Sequence, residues 1–197
     1  MKITLDWNCV IEVEEQRDQS SHVVQLLELH EQGIIEVALL AVSASENSKS
    51  KRFPGSAALF QERVQKLGWS HLPIVPMPDI WGLSYWDFAY WVSDGAQFER
   101  EFSAIWDVIA RNVARDFRDH ITAENDAMDN VLQSESLAKW RNAWCDVMSA
   151  YCHIHERRDV FVTLNTRDFQ KHIKSLAKLG MAQIFEPREL VECLGKK

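Results

Sequence analysis

Short apolar runs alternate with amphipathic segments along this chain, and that alternation predicts its secondary structure. The uniformly apolar runs are too short for buried helices and indicate buried strands at 2–7, 34–42 and 159–164, with a last short one in MAQIF. Apolar positions spaced three or four apart, or a helix-like composition, predict helices at 9–17, 22–32, 55–67, 137–157, 167–178 and after Pro187. This order predicts an α/β fold with a parallel sheet.

The stretch from about 71 to 135 departs from that alternation. It opens with HLPIVPMPDIWG, whose prolines argue against a central strand or a long helix. A dense group of aromatic residues follows, namely Trp81, Tyr85, Trp86, Phe88, Tyr90 and Trp91. Steps of three and four from Phe98 to Phe117 then predict an amphipathic helix. We therefore expect one domain over 1–197 that carries a helical, aromatic-rich insertion at 71–135.

Composition restricts the setting and the partners. The four cysteines have no metal-binding spacing, which favours core thiols in a reducing, cytoplasmic protein. Met1 leads at once into a strand-like run with no basic leader, and no apolar run approaches the roughly 20 residues of a membrane span. The net charge of −7 argues against broad coating of nucleic acid, although it is compatible with a nuclease whose centre is acidic or with a basic protein partner.

Polar residues stop two of the predicted strands. The run KITLDW includes Asp6 near its end, and the run DVFVTL breaks at Asn165. The carboxyl edge of a parallel sheet is where ligands bind in open α/β folds. Asp146 lies among apolar residues on a predicted helix, and such a carboxylate needs a partner. Clustered carboxylates repel one another, so the pattern predicts a site for Mg²⁺ or Mn²⁺.

Four segments taken in order resemble the PIN-domain nucleases. The matching segments, LDWNCVIEV, IIEVALLAVSASENSK, WCDVMSAYCHIHERRDVFVTLNTRDF and AQIFEPRELVECL, lie within residues 1–48 and 136–195. The resemblance implies a three-layer α/β/α fold with a central twisted parallel sheet. It also implies a Mg²⁺- or Mn²⁺-dependent ribonuclease (a hydrolase of RNA phosphodiester bonds), toxin-like in a toxin–antitoxin pair, with RNA as substrate and an antitoxin-like protein or a second copy as partner.

The resemblance also implies the site residues. Carried over by position, the catalytic and metal-binding groups would be Asp6, Glu46, Asp146 and Asn165, with Asp168 as an extra ligand. Asn8 and Thr163 would support them. Asp6 and Asp146 would be the principal ligands, while Glu46 would orient water or bind a second ion.

The sequence departs from the family pattern at three places. Asn165 stands where many members have a carboxylate, which should weaken metal binding. Trp7 places a bulky side chain beside Asp6, and the 71–135 segment is longer and more aromatic than the lid of compact toxins. One alternative is therefore a catalytically weakened scaffold that binds protein or RNA. The aromatic residues would then be part of the core, a dimer interface or a base-stacking surface.

Plainer structural roles compete with these assignments. Asp6 would cap the following helix, Glu46 would complement a helix dipole in a first turn after a Ser43 or Ser45 cap, and Asn165 and Asp168 would form a turn. His153 and His155 are either ligands or packed and solvated residues. The cluster of Lys49, Lys51 and Arg52 either contacts phosphates or lies in a solvated loop. A Mg²⁺-dependent phosphatase or phosphotransferase is a third hypothesis, which the absence of an aspartate two residues after Asp6 opposes.

Overall fold

A parallel sheet forms the centre of the protein. The computed structural model describes residues 1–46, 56–80, 83–84, 86–120 and 137–196. Within them the strands are β1 (Lys2–Leu5), β2 (Glu36–Leu40), β3 (Ile74–Val75), β4 (Met77–Pro78), β5 (Ala89–Tyr90), β6 (Val160–Val162) and β7 (Ile184–Phe185). The five-stranded sheet has the order β3-β2-β1-β6-β7, and each of its strand pairs is parallel. The predicted α/β class with a parallel sheet is confirmed.

Helices follow the strands as the alternation predicts. They are α1 (Trp7–Glu14), α2 (Ser20–Glu31), α3 (Ala57–Lys66), α4 (Gly95–Ile109), α5 (Ala138–His155), α6 (Thr166–Phe169), α7 (Ile173–Leu179) and α8 (Pro187–Leu194). Short 3-10 helices occupy Ala41–Glu46, Trp86–Phe88, Phe117–His120 and Gln170–His172. No helix within these described residues is long and apolar enough to cross a membrane.

Alternate residues of the strands enter two separate hydrophobic cores. On β2, Val37 and Leu39 pack into one core, while Ala38 and Leu40 pack into the other. On β6, Phe161 packs into the same core as Ala38, whereas the residues before and after it in the strand pack into the other core. The first core contains buried residues of α1, α2, α3 and α8. The second contains buried residues of α4, α5, α6 and α7, so helices cover both faces of the sheet.

Local signals account for most of the helix ends. The Ser56 hydroxyl accepts a bond from the backbone of Leu59 at the start of α3. Glu186 and Glu189 form a capping box around Pro187 at the start of α8. Gly180 ends α7 with a φ of 111°, a backbone conformation that favours glycine.

Two helices differ in extent from the predictions, and one predicted helix cap is wrong. The helix predicted to reach Phe117 ends at Ile109, because the Trp106 indole donates to the carbonyl of Val113 at 2.8 Å and folds the chain back. The helix predicted at 167–178 is broken into α6, a 3-10 turn and α7. Ser43 and Ser45 lie inside the 3-10 segment Ala41–Glu46, so neither has the position of the predicted cap. Residues 47–55 lie outside the described part of the chain.

The 71–135 segment is not wholly helical in its described part. Pro73 and Pro76 flank β3, which forms an edge of the main sheet. Proline has no N–H to donate, so edge strands are where a sheet tolerates it. β4 and β5 form a separate two-stranded sheet. Phe88 packs edge-on against Phe60, whereas Trp91 is 82% exposed. Trp81, Tyr85 and the basic cluster at 49–52 lie outside the described residues.

The cysteines are free, and they divide into two groups. Cys9, Cys145 and Cys152 are buried, as expected for core thiols. Cys193 is exposed on α8, so the prediction of a core position is wrong for this residue. It lies near the end of an amphipathic helix whose buried side is formed by Pro187 and Leu190.

Candidate functional site

The chain reverses its direction of travel across the sheet between β1 and β6. From β1 it extends outward through β2 to β3, and it later returns to the other side of β1 through β6 and β7. In open α/β sheets, ligands bind at the carboxyl ends of the strands beside such a switch point. Asp6 follows β1 there, and Thr163 and Asn165 follow β6.

Asp6 is held by hydrogen bonds from three directions. Its Oδ1 accepts the backbone N–H of Trp7 at 2.8 Å, so the carboxylate also caps α1. Its Oδ2 accepts the Asn8 amide at 2.7 Å and the Thr163 hydroxyl at 2.6 Å. The side chain is only 5% exposed. Burial raises the pKa of Asp6, and these hydrogen bonds oppose the rise.

The two predicted supporting residues link the strand ends to each other. The Asn8 amide also donates to the Thr163 hydroxyl oxygen at 3.0 Å, and the Asn8 carbonyl oxygen accepts the backbone N–H of Leu164 at 3.0 Å. Thr163 in turn accepts the backbone N–H of Asn165 at 2.9 Å. The network fixes Asp6 before any ligand arrives, which is the preorganisation that a binding site requires.

Asp146 approaches this edge from α5. Its side chain is half-buried, and the Asn165 side chain lies close enough to lower its pKa. Burial, followed by repulsion from Asp6 and Asp168, raises the pKa of Asp146 to about 8. The structure thus brings Asp146 and Asn165 together and places both within electrostatic range of Asp6.

Glu46 belongs to the same acidic group. It ends the 3-10 segment after β2 and is half-buried. Burial raises the pKa of Glu46 well above its usual range, and the charges of Asp6 and Asp146 raise it further. Glu46 is the last described residue of this 3-10 segment, because residues 47–55 lie outside the described part of the chain.

Asp168 occupies a more peripheral position. It is half-buried on α6, and Lys171 lies 3.4 Å from its carboxylate. Its charge still acts on Asp146. Asp168 therefore stands at the margin of the acidic group, where the lysine already balances part of its charge.

The acidic group has some of the properties of a binding site for a hard divalent cation. None of the ion pairs formed within the described residues involves Asp6, Glu46 or Asp146. Oxygen donors that repel one another and lack a basic partner are the ligand chemistry of Mg²⁺ and Mn²⁺. However, no group of three or more His, Cys, Asp and Glu in the described part of the chain is arranged to hold a metal ion. The donor type fits a cation, whereas the spacing of the carboxylates does not form a closed cage.

Three other residues have structural roles. Trp7 turns away into the core, where its ring lies 5.3 Å from Phe60. His153 is fully buried and pairs with the Thr4 hydroxyl at 2.8 Å, so it is a packed residue. Cys9 is a contact that the sequence did not reveal, since its thiol donates to the Asn8 carbonyl oxygen at 3.3 Å.

Comparisons with known proteins add no family to this geometry. Neither a scan against protein-family models nor a search of curated proteins found a match to this chain.

Proposed function

We propose that this protein is a PIN-like, metal-dependent endoribonuclease that acts in the cytoplasm. The observation that carries the proposal is the electrostatic coupling of Asp6, Glu46 and Asp146 at the sheet's switch point. Acidic groups that are buried together destabilise the fold unless a ligand compensates them. Their retention at a ligand-binding edge is best explained by a function that needs them.

Each residue has a defined part in this proposal. Asp6 and Asp146 would hold the divalent ion, with Asp168 at its margin. Such an ion, when bound, lowers the pKa of water and stabilises negative charge on a phosphate. Glu46 would orient the attacking water or hold a second ion. Asn8 and Thr163 keep Asp6 in position through their hydrogen bonds.

Asn165 would change the pKa of Asp146 without adding negative charge to the site. Its side chain lies near Asp146 and lowers the pKa of that carboxyl group. A neutral amide at this position reduces the total negative charge, so we expect weaker ion binding than with a carboxylate. RNA is the proposed substrate. A toxin-like role with an antitoxin-like partner or a second copy follows from the resemblance to PIN nucleases alone.

Calorimetric titration of Mn²⁺ into the metal-stripped protein tests this proposal first. Wild type should bind, and Asp146→Asn should not. Asp107→Asn is the matched control, because it makes the same change at an exposed position of α4. Cleavage of single-stranded RNA should require Mn²⁺ and fall by about 100-fold or more in Asp6→Asn and Asp146→Asn, exceeding the usual loss from a supporting group.

A catalytically weakened scaffold is the second candidate, and one observation favours it. The acidic side chains within the described residues form no ready metal cage, and Asn165 already satisfies part of Asp146. In that case Mn²⁺ would produce no binding heat with wild type, and RNA would remain intact. That pair of results would reject the nuclease and retain a protein- or RNA-binding role.

A further inference from the structure

A second recessed site lies on another part of the molecule. It is formed by the chain after β5, the first turns of α4 and the end of α5, and its volume is about 180 Å³. His155, in this cavity, is nine residues beyond Asp146 on the same helix. At 1.5 Å per residue, this places the two positions roughly 13 Å apart along the helix axis. The cavity is therefore separate from the candidate nuclease site.

Aromatic rings supply most of its wall. The His155 ring stacks on Tyr90, with centroids 5.1 Å apart and planes 6° apart, and on Tyr151 at 5.5 Å and 19°. Phe98 contacts Tyr151 edge-on at 5.1 Å. Trp91 lines the same cavity while exposing 82% of its surface. The rings contact one another, and the exposed indole is accessible to a ligand.

Two carboxylates face the same cavity, and both are held in place. Asp94 accepts the backbone N–H of Gln97 at 2.9 Å, and Glu101 accepts the Gln97 side-chain amide at 2.8 Å. Helix α5 ends at His155, so its carbonyl end adds a partial negative charge nearby. No lysine or arginine is among the described side chains that line the cavity. Its electrostatic character is therefore negative.

We propose that this cavity binds the guanidinium group of an arginine side chain presented by a basic peptide segment of a partner protein. Aromatic faces attract cations, and a planar guanidinium both stacks on rings and forms paired bonds with carboxylates. Asp94 and Glu101 would repel a phosphate backbone, which argues against RNA as the occupant. The chain's net charge of −7 also favours a basic partner.

The size of the cavity supports the same choice. Pockets for drug-sized ligands occupy about 300–1,000 Å³, whereas this cavity holds about 180 Å³. It accommodates one side-chain head group, and the rest of a peptide would run across the surface past Trp91. A single anchored arginine gives weak binding by itself. We therefore expect the affinity for a full partner to come from several such contacts.

Two-dimensional NMR with short probe peptides tests the proposal. The probe is acetyl-Gly-Gly-Arg-Gly-Gly-amide, and its control contains citrulline, which has the shape of arginine without the charge. The arginine peptide should shift the Trp91 indole and the amides of 90–101 and 151–155, with millimolar affinity. The citrulline peptide should bind at least about ten-fold more weakly, because the cation–π and ionic terms are lost.

Variants then assign the binding to the cavity. Trp91→Ala, at an exposed position, should weaken arginine-peptide binding by about three- to ten-fold. The double variant Asp94→Asn, Glu101→Gln should weaken it at least as much while keeping the helix cap. Glu28→Gln with Glu31→Gln on α2 removes the same charge at exposed positions elsewhere and should leave binding unchanged.

Three results would overturn the proposal. They are no shift with the arginine peptide at millimolar concentration, equal binding of the citrulline peptide, and shifts of these same residues by an oligouridylate instead. The last result would identify a base-stacking surface. Since Trp91 and Asp94 have no part in the proposed ribonuclease, Mn²⁺ binding and cleavage are expected to survive these changes, and the two proposals can fail separately.

Discussion

The Thr163 hydroxyl donates a 2.6 Å hydrogen bond to Oδ2 of Asp6 and so joins the ends of the adjacent strands β6 and β1. The Thr163 hydroxyl oxygen also accepts hydrogen bonds from the Asn8 amide and from the backbone N–H of Asn165. Thr163 is fully buried, so no water replaces these bonds when the side chain changes. The position of Asp6 therefore depends on a residue 157 places away in the sequence.

Replacing Thr163 with valine should weaken both the fold and the site. Valine keeps the shape but removes the acceptor of the Asn165 N–H and one of the two acceptors of the Asn8 amide, which costs about 2 kcal/mol of unfolding free energy. The pKa of Asp6 should rise further, since the Thr163 bond lowers it. Urea denaturation and Mn²⁺ titration at pH 7 measure the two effects.

Thr163→Ser is the matched control for that change. Serine retains the hydroxyl, so we expect it to keep Mn²⁺ binding and to lose only the stability of one buried methyl group, about 1 kcal/mol. Equal Mn²⁺ affinity in the valine variant and wild type would contradict the proposed positioning of Asp6 by Thr163.

The sequence predicts the main elements because their signals are local. The alternating contacts of Val37 and Ala38 follow from the period of a strand, and the stop at Gly180 follows from its backbone freedom. The error after Ile109 has the opposite origin. The bond from the Trp106 indole to the Val113 carbonyl depends on how the chain folds back, which helical periodicity does not encode.

The part of the candidate site that lies at the strand ends was predictable from the sequence. Asp6 and Thr163 meet because β1 and β6 are parallel neighbours, a pairing that strand order implies. Glu46 was harder to place, because the segment before it forms a 3-10 helix and no capped α-helix. The aromatic cavity joins Tyr90 to His155 across 65 positions, a distance over which no local pattern operates.

Raising the pH should destabilise the metal-free protein between about pH 4 and about pH 8. The pKa of Asp146 is about 8 in the folded protein, against an ordinary value of 3.8. The folded state therefore holds an extra proton in this interval, and its stability is complete below the lower value and lost as the pH rises through the higher one. The expected slope is about 1.4 kcal/mol per pH unit for each such proton.

Denaturation in urea at pH 6.5, 7.25 and 8 measures this slope. Asp146→Asn removes the ionisable group and should flatten the profile, whereas Asp107→Asn should match wild type. Saturating Mn²⁺ should reverse the trend if the proposed ion binds, because it stabilises the ionised carboxylates of the folded state. A wild-type slope equal to that of Asp146→Asn would show that Asp146 carries no strained charge.

Acid should destabilise the fold through His153. Burial lowers the pKa of His153 to about 4, from 6.5 in an exposed histidine. The unfolded state therefore gains a proton first as the pH falls, so the stabilisation is complete above pH 6.5 and is lost progressively toward pH 4. The shift corresponds to about 3 kcal/mol of unfolding free energy.

The His153→Gln variant separates this effect from other titrations. Glutamine still provides a hydrogen-bonding group for the Thr4 hydroxyl, which pairs with His153 at 2.8 Å. It should reduce stability near neutral pH yet show a shallower loss between pH 6.5 and 4 than wild type. His71→Gln, at an exposed position, should retain the wild-type profile. Parallel profiles for His153→Gln and wild type would assign the acid sensitivity to other groups.

Two glycines should respond in opposite directions to alanine. Gly180 has a φ of 111°, and an added Cβ would lie 3.2 Å from Cγ2 of Ile154. Both the backbone strain and this contact oppose the substitution, so Gly180→Ala should cost about 1–2 kcal/mol. Gly95, in the first turn of α4, has open space around the new methyl group. Gly95→Ala should stabilise the protein by about 0.5 kcal/mol.

Urea denaturation of Gly95→Ala checks its gain, and that of Gly180→Ala in the wild-type, Ile154→Val and Ile154→Ala backgrounds divides the Gly180 cost between its two causes. Ile154→Val removes Cδ1 and leaves Cγ2, so the contact persists and the cost should remain almost unchanged. Ile154→Ala removes Cγ2 as well, and against that background the substitution at Gly180 should be less costly by the contact's share. Because the left-handed backbone remains in every background, part of the cost must persist, and a neutral Gly180→Ala in wild type would contradict the strained geometry at this helix end.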